Sequence, residues 1–71
     1  MIRISEKEFL EQVTRHQNIV HKVCRMFCED EDDRRDLFQE ITIKLWLGHE
    51  SYAGQAAITT WMYRVALNTA I

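Results

Sequence analysis

The scarcity of helix breakers constrains this chain more than any other feature. Its 71 residues contain no Pro and only two Gly, Gly48 and Gly54. Those two residue types are the strongest local stops for a helix, so helical runs here meet few interruptions and a mostly α chain is expected. Strand signals are weak, because Ile41-Thr42-Ile43 alternates only briefly and sits inside a helical pattern. The length allows one domain. A domain this small buries only ~60% of the surface its unfolded chain exposes. Apolar residues make up 46% of it, which is a globular composition and not a disordered one.

Hydrophobic spacing places the helices. Ser5-Glu6-Lys7-Glu8 sets a hydroxyl three residues ahead of a carboxylate, the pattern of a capping box. Phe9, Val13, Val20, Val23, Cys24 and Phe27 then recur at helical intervals, with Leu10 and Ile19 widening the stripe. The first helix is expected from Glu6 to about Cys28. If that helix is interrupted, the place is Thr14–Asn18, where His16, Gln17 and Asn18 dilute the pattern. Glu29 to Asp32 reads as a solvated turn, with Asp32 or Asp33 capping a second helix of about Asp33–Leu47. Leu37, Ile41 and Leu45 form its seam, broadened by Phe38, Trp46 and Leu47, and Gly48 is expected to end it. After the loop His49–Ala56, a third helix starts near Ala57. It turns Ile58, Trp61, Met62, Val65 and Thr69 to one side, while Tyr63, Arg64, Leu67 and Asn68 project elsewhere. The fold class expected is all-α, a small orthogonal or bundle-like domain of three helices, or four if the first is broken. The chain stops at Ile71 in what reads as mid-helix, which suggests a piece of a longer protein.

Several function classes find little support. No apolar run approaches the ~18 residues of a membrane span, and the N-terminal residues carry no secretory signal, so a cytoplasmic location is expected. There is no phosphate-binding Gly motif, no Ser in an elbow and no paired His on a catalytic spacing, so neither an enzyme nor a cofactor is expected. His21, Cys24 and Cys28 are zinc-ligand types on one helical face, and His16 or His49 could add a fourth. The plainer reading is two small buried thiols beside a boundary His, since zinc spacings place Cys pairs across a turn. A Cys24–Cys28 disulfide is disfavoured, because Cβ atoms four apart on a helix lie ~5–6 Å from each other against ~3.8 Å in a bridge.

Three groups remain as candidates for binding. Asp36, Gln39 and Glu40 share one face of the second helix; this is either a solvated stripe or a docking surface in which fixed carboxylates and an amide set register. The loop Ser51-Tyr52-Ala53-Gly54-Gln55 pairs an aromatic with a Gly. It is either a plain turn with Tyr52 folded onto the core, or a receptacle for an extruded base stacked on Tyr52 and bonded by backbone groups or Gln55. The third helix offers an aromatic, a guanidinium and an amide where a solvated face usually reads Glu, Lys and Gln. The net charge of −2 argues against a generic nucleic-acid binder. The charge is unevenly spread, however: Glu29 to Asp33 is an acidic block, whereas from Gln55 onward the only charge is Arg64.

Asp36-Leu37-Phe38-Gln39-Glu40, Tyr52-Ala53-Gly54 and Thr60-Trp61-Met62-Tyr63-Arg64-Val65-Ala66-Leu67-Asn68, in that order and spacing, resemble bacterial RNA polymerase sigma factors. The likeness is to the second conserved region of the extracytoplasmic-function group, and it covers nearly the whole chain. It implies an all-α domain whose second helix docks, through Asp36, Gln39 and Glu40, on the clamp helices of the largest subunit of core RNA polymerase. It also implies that the following loop and third helix recognise the promoter minus-ten element. Tyr52, Ala53, Gly54 and Gln55 would hold a flipped base of the non-template single strand. Thr60 and Trp61 match the start of the recognition helix, and Arg64 and Asn68 the face that meets the upstream edge of the element. Trp61 would serve mainly as core. An anti-sigma protein is an implied partner.

The chain departs from that family in two places. Ala53 stands where a basic residue is common, and Trp61-Met62 stands where housekeeping members carry two adjacent Trp, which implies weaker strand opening. The family's separate C-terminal domain, which reads the minus-thirty-five element, is absent from this chain. The main rival reading is a sigma-like helical interaction module without DNA binding. A helix-turn-helix duplex reader fits less well. The loop is longer than that motif's ~3–4 residues, and the third helix lacks the Arg, Lys and Gln set that reads base edges.

Overall fold

A computed structural model describes residues 5–52, 54 and 56–71. Four helices follow one another: α1 (Glu6–Arg15), α2 (Gln17–Phe27), α3 (Glu31–Gly48) and α4 (Ile58–Ala70). The expected capping box forms at the start of α1, where Ser5 Oγ accepts from the Glu8 backbone N–H at 3.2 Å. The same hydroxyl donates to the Glu8 carboxylate at 3.3 Å. The helix expected from Glu6 to about Cys28 is two, and the alternative break within Thr14–Asn18 falls on His16, which caps α1 and opens α2.

The start of α3 differs from expectation. Asp30, rather than Asp32 or Asp33, is its cap, and its carboxylate accepts from the backbone N–H groups of Asp32 and Asp33 at 3.1 and 3.2 Å. Glu31, Asp32 and Asp33 then fill the first turn, where negative charge suits the helix dipole. Asp30, Asp32 and Asp33 can each cap, and which one does so depends on where the chain leaves α2. The Arg34 side chain helps to fix that point, donating from Nε to the Cys28 carbonyl at 2.7 Å. Gly48 ends α3 as expected, as its last residue rather than one past it, with His49 as the cap. Its value is space: a Cβ there would sit 3.3 Å from Cζ2 of Trp61. The missing side chain lets α4 approach the end of α3.

The core gathers one face from each helix. Phe9 of α1, Val20, Val23 and Cys24 of α2, Ile41 and Leu45 of α3, and Met62 and Ala66 of α4 are all buried. Leu37, Phe38, Ile58, Trp61, Val65 and Leu67 close around them. Leu67 therefore packs inward, contrary to its sequence reading. Four residues assigned to the apolar stripes are instead exposed: Leu10, Phe27, Trp46 and Leu47. A 3.6-residue period fixes which residues share a face but not how far around the helix the neighbours reach.

Candidate functional site

The core-facing side of α3 is set by Leu37, Ile41 and Leu45. Asp36, Gln39 and Glu40 project from the other side and are exposed. They line a shallow groove of about 600 Å³ whose opposite wall is Phe27, Thr69 and Ala70, from the ends of α2 and α4. The three predicted docking residues are thus brought together on one wall. The same face runs on toward the C-terminus. Ile43 and Leu47 stand seven and eleven residues beyond Asp36, two and three turns along the same stripe. They are 57% and 70% exposed. Sequence reasoning missed both, assigning Ile43 to a strand-like alternation and Leu47 to the seam. The overlooked signal is that α3 carries apolar residues outside its Leu37–Ile41–Leu45 seam, more than one packed face can cover.

The loop and α4 form the second candidate surface. Tyr52 is 9% exposed. Its ring packs 5.0 Å from that of Trp61, and its hydroxyl donates to the Ala56 carbonyl. The expectation that a base stacks on Tyr52 is therefore corrected, because Trp61 covers the ring and the side chain anchors the loop. Trp61 is half-buried and also meets Phe9 at 6.0 Å, in agreement with its assignment mainly to the core. Gly54 is exposed and holds φ at +77°, a left-handed conformation that favours Gly. Ala53 and Gln55, predicted with it, lie outside the described residues. On α4, Thr60, Arg64 and Asn68 follow at four-residue intervals and are all exposed. Asn68 has an ordinary helical neighbourhood and does not end the helix, which runs to Ala70.

The profile of the Sigma-70 region 2 family matches residues 12–71. The ECF RNA polymerase sigma-E factor of Haemophilus influenzae is 38% identical over 65 residues, 92% of this chain and 34% of that protein. The chain belongs to the sigma-70 region 2 family, in its extracytoplasmic-function group. The sigma-E factor of Escherichia coli K12 is 37% identical over 65 residues, 92% of this region 2 chain and 34% of that protein. ECF sigma factor SigG of Mycobacterium tuberculosis is 38% identical over 39 residues, 55% of this chain and 10% of that protein. Region 2 here spans about a third of the length of the sigma-E relatives it matches. No solved structure matches.

The remaining candidates of this region 2 chain do not form a site. His21 stacks on Phe38, with ring centroids 4.4 Å apart, and Cys24 is buried while Cys28 is only half-buried. Among the described residues no group of His, Cys, Asp and Glu converges to hold a metal. Burial pushes the Cys24 thiol above its ordinary pKa, with the nearby Cys28 adding to the effect. No helix among the described residues is long and apolar enough to cross a membrane.

Proposed function

We propose that this chain is the region of an alternative sigma factor that binds core RNA polymerase and recognises and opens the promoter minus-ten element. One observation carries the proposal. The two surfaces that the resemblance implies are exposed at once, on different helices: Asp36, Gln39 and Glu40 on α3, and Thr60, Arg64 and Asn68 on α4. A partner on one leaves the other free. The α3 face would meet the clamp helices of the largest polymerase subunit. There the carboxylates and amide set register, and Ile43 and Leu47 add apolar area.

The α4 face would meet the minus-ten element. The non-template single strand would be held by the loop at Gly54, whose backbone has room for close approach because a Cβ there would touch nothing within 4 Å. Tyr52 and Trp61 act as positioning residues that fix the loop against α4. Single-strand contacts exist only after opening, so binding shifts the duplex toward the melted state by differential affinity. Met62 is fully buried and Trp61 half-buried, which leaves little aromatic surface to wedge the duplex. Weak intrinsic opening and dependence on a well-matched promoter follow. The work is binding without chemistry, in the cytoplasm, and an anti-sigma protein would act by occluding these surfaces.

The sealing of Tyr52 is the observation that favours the rival, an interaction module without DNA binding. Binding of the chain to single-stranded and duplex minus-ten DNA, with and without Asn68→Ala, separates the two. Preference for the single strand, lost on mutation, supports the proposal. Equal affinity for both forms supports a duplex reader. Absence of DNA binding with intact polymerase binding supports the rival.

A further inference from the structure

The chain is net acidic, yet four of its nine Lys and Arg lie along two grooves, the first of which meets the minus-ten surface at Thr60. The first groove, about 310 Å³, lies between α2 and α4. Lys22 on one side faces Thr59, Thr60 and Tyr63 on the other, so the groove opens directly beside the α4 face. The second, about 440 Å³, lies between α2 and α3 and is lined by Arg25, Arg34 and Arg35 with Glu31 as its one carboxylate. Lys22 and Arg25 are one helical turn apart on α2 and both exposed, so their side chains are neighbours on the ridge that separates the grooves. Among the described residues Lys22, Arg25 and Arg35 have no ion pair or hydrogen-bond partner, whereas Arg34 is held by the Cys28 carbonyl. Of the acids of α3, Glu31 lies in this groove, while Asp33, Asp36 and Glu40 line the groove on the other side of the helix. Three arginines against one carboxylate leave this groove net basic, and the groove across α3 is lined by three carboxylates and no Lys or Arg.

From this we infer that a nucleic-acid backbone track crosses the domain, leading from the α4 face over Lys22 and Arg25 into the Arg25–Arg34–Arg35 groove. The occupant is the phosphodiester backbone of the DNA strand whose minus-ten bases meet α4. Free guanidiniums suit phosphate oxygens, and the track starts at Thr60, on the edge of the base-reading surface. The contacts are to the backbone, so they add affinity without sequence preference. The inference rests on the proposed DNA-binding reading, but it fails separately from it.

The test is fluorescence anisotropy of a labelled single strand carrying a minus-ten element. The 71-residue chain is titrated from 10 to 100 mM salt and compared with Arg25→Gln/Arg35→Gln and with Asn68→Ala. Each neutralised phosphate contributes ~0.7 to the slope of log K against log [salt] on a single strand. The double Arg variant is expected to make that slope shallower by about 1.4 and to weaken minus-ten and scrambled strands alike. Asn68→Ala is expected to weaken only the minus-ten strand and to leave the slope unchanged. An unchanged slope in the Arg variant, with Asn68→Ala still weakening binding, overturns the track and leaves the proposed function standing. No binding at the lowest salt, or no effect of either variant, overturns both. Binding of poly-glutamate as tight as that of DNA overturns the assignment to a phosphodiester backbone.

Discussion

Tyr52 makes two contacts that a loop aromatic in solvent would lack, the ring against Trp61 and the hydroxyl to the Ala56 carbonyl. Tyr52→Phe keeps the first and removes the second. It is expected to cost about 1 kcal/mol, read as a lower thermal midpoint with the same helical signal. Gly54→Ala meets no steric neighbour, so its cost is that of φ +77° alone. That cost is about 1–2 kcal/mol for a residue with a Cβ, and the same melts measure it. Cys24 adds a pH dependence. Its thiol is raised by burial, so the folded state resists thiolate formation. The stability linked to this group is present below the ordinary thiol pKa of about 8.5, and is lost as pH rises through the higher folded value. Midpoints measured from pH 7 to 10 should fall more steeply for the native chain than for Cys24→Ala. The sequence placed Tyr52 in the right loop, but it left both of its fates open. The choice between them rests on Trp61, nine residues on, and on the close approach of α4 that Gly48 permits.

At the scale of elements, the helices were largely legible because their apolar spacing and the Ser5–Glu8 cap are local signals. The first helix reads as one run, Glu6 to about Cys28, with Thr14–Asn18 as the place of an alternative break, and the structure divides it at His16. The start of α3 was not legible, because Asp30, Asp32 and Asp33 offer the same chemistry and only the tertiary path of the chain selects one. Asp30→Ala is accordingly expected to cost about 1 kcal/mol. Asp33→Ala, which loses no cap, should stay within ~0.5 kcal/mol in the same denaturation experiment. Exposure along α3 was the other hidden quantity. Ile43 and Leu47 fit an apolar stripe in one dimension, and only the packed fold shows that they face outward. Ile43→Asp/Leu47→Asp should leave the thermal midpoint within a few degrees, since neither side chain is in the core. It should weaken binding to core polymerase at least tenfold, read by competition with the native chain.

Across the whole molecule, the arrangement is a small shared core that presents different chemistry in different directions. Acids, an amide and exposed aliphatics look outward from α3. A hydroxyl, a guanidinium and a second amide look outward from α4, and a basic band crosses α2 between α4 and the far side of α3. The family was legible from three motif blocks in order, and the match over residues 12–71 agrees. The basic band was not legible, because Lys22, Arg25, Arg34 and Arg35 show no pattern until α2 and α3 pack side by side. The central claim is that the outward face of α3 grips the polymerase. Its most direct measurement is the affinity of the chain for core RNA polymerase with Asp36, Gln39 and Glu40 all changed to Ala, checked by circular dichroism for an unchanged fold. The account predicts loss of at least tenfold in affinity, about 1.4 kcal/mol or more, with full helicity. Native affinity in a folded triple variant would contradict it.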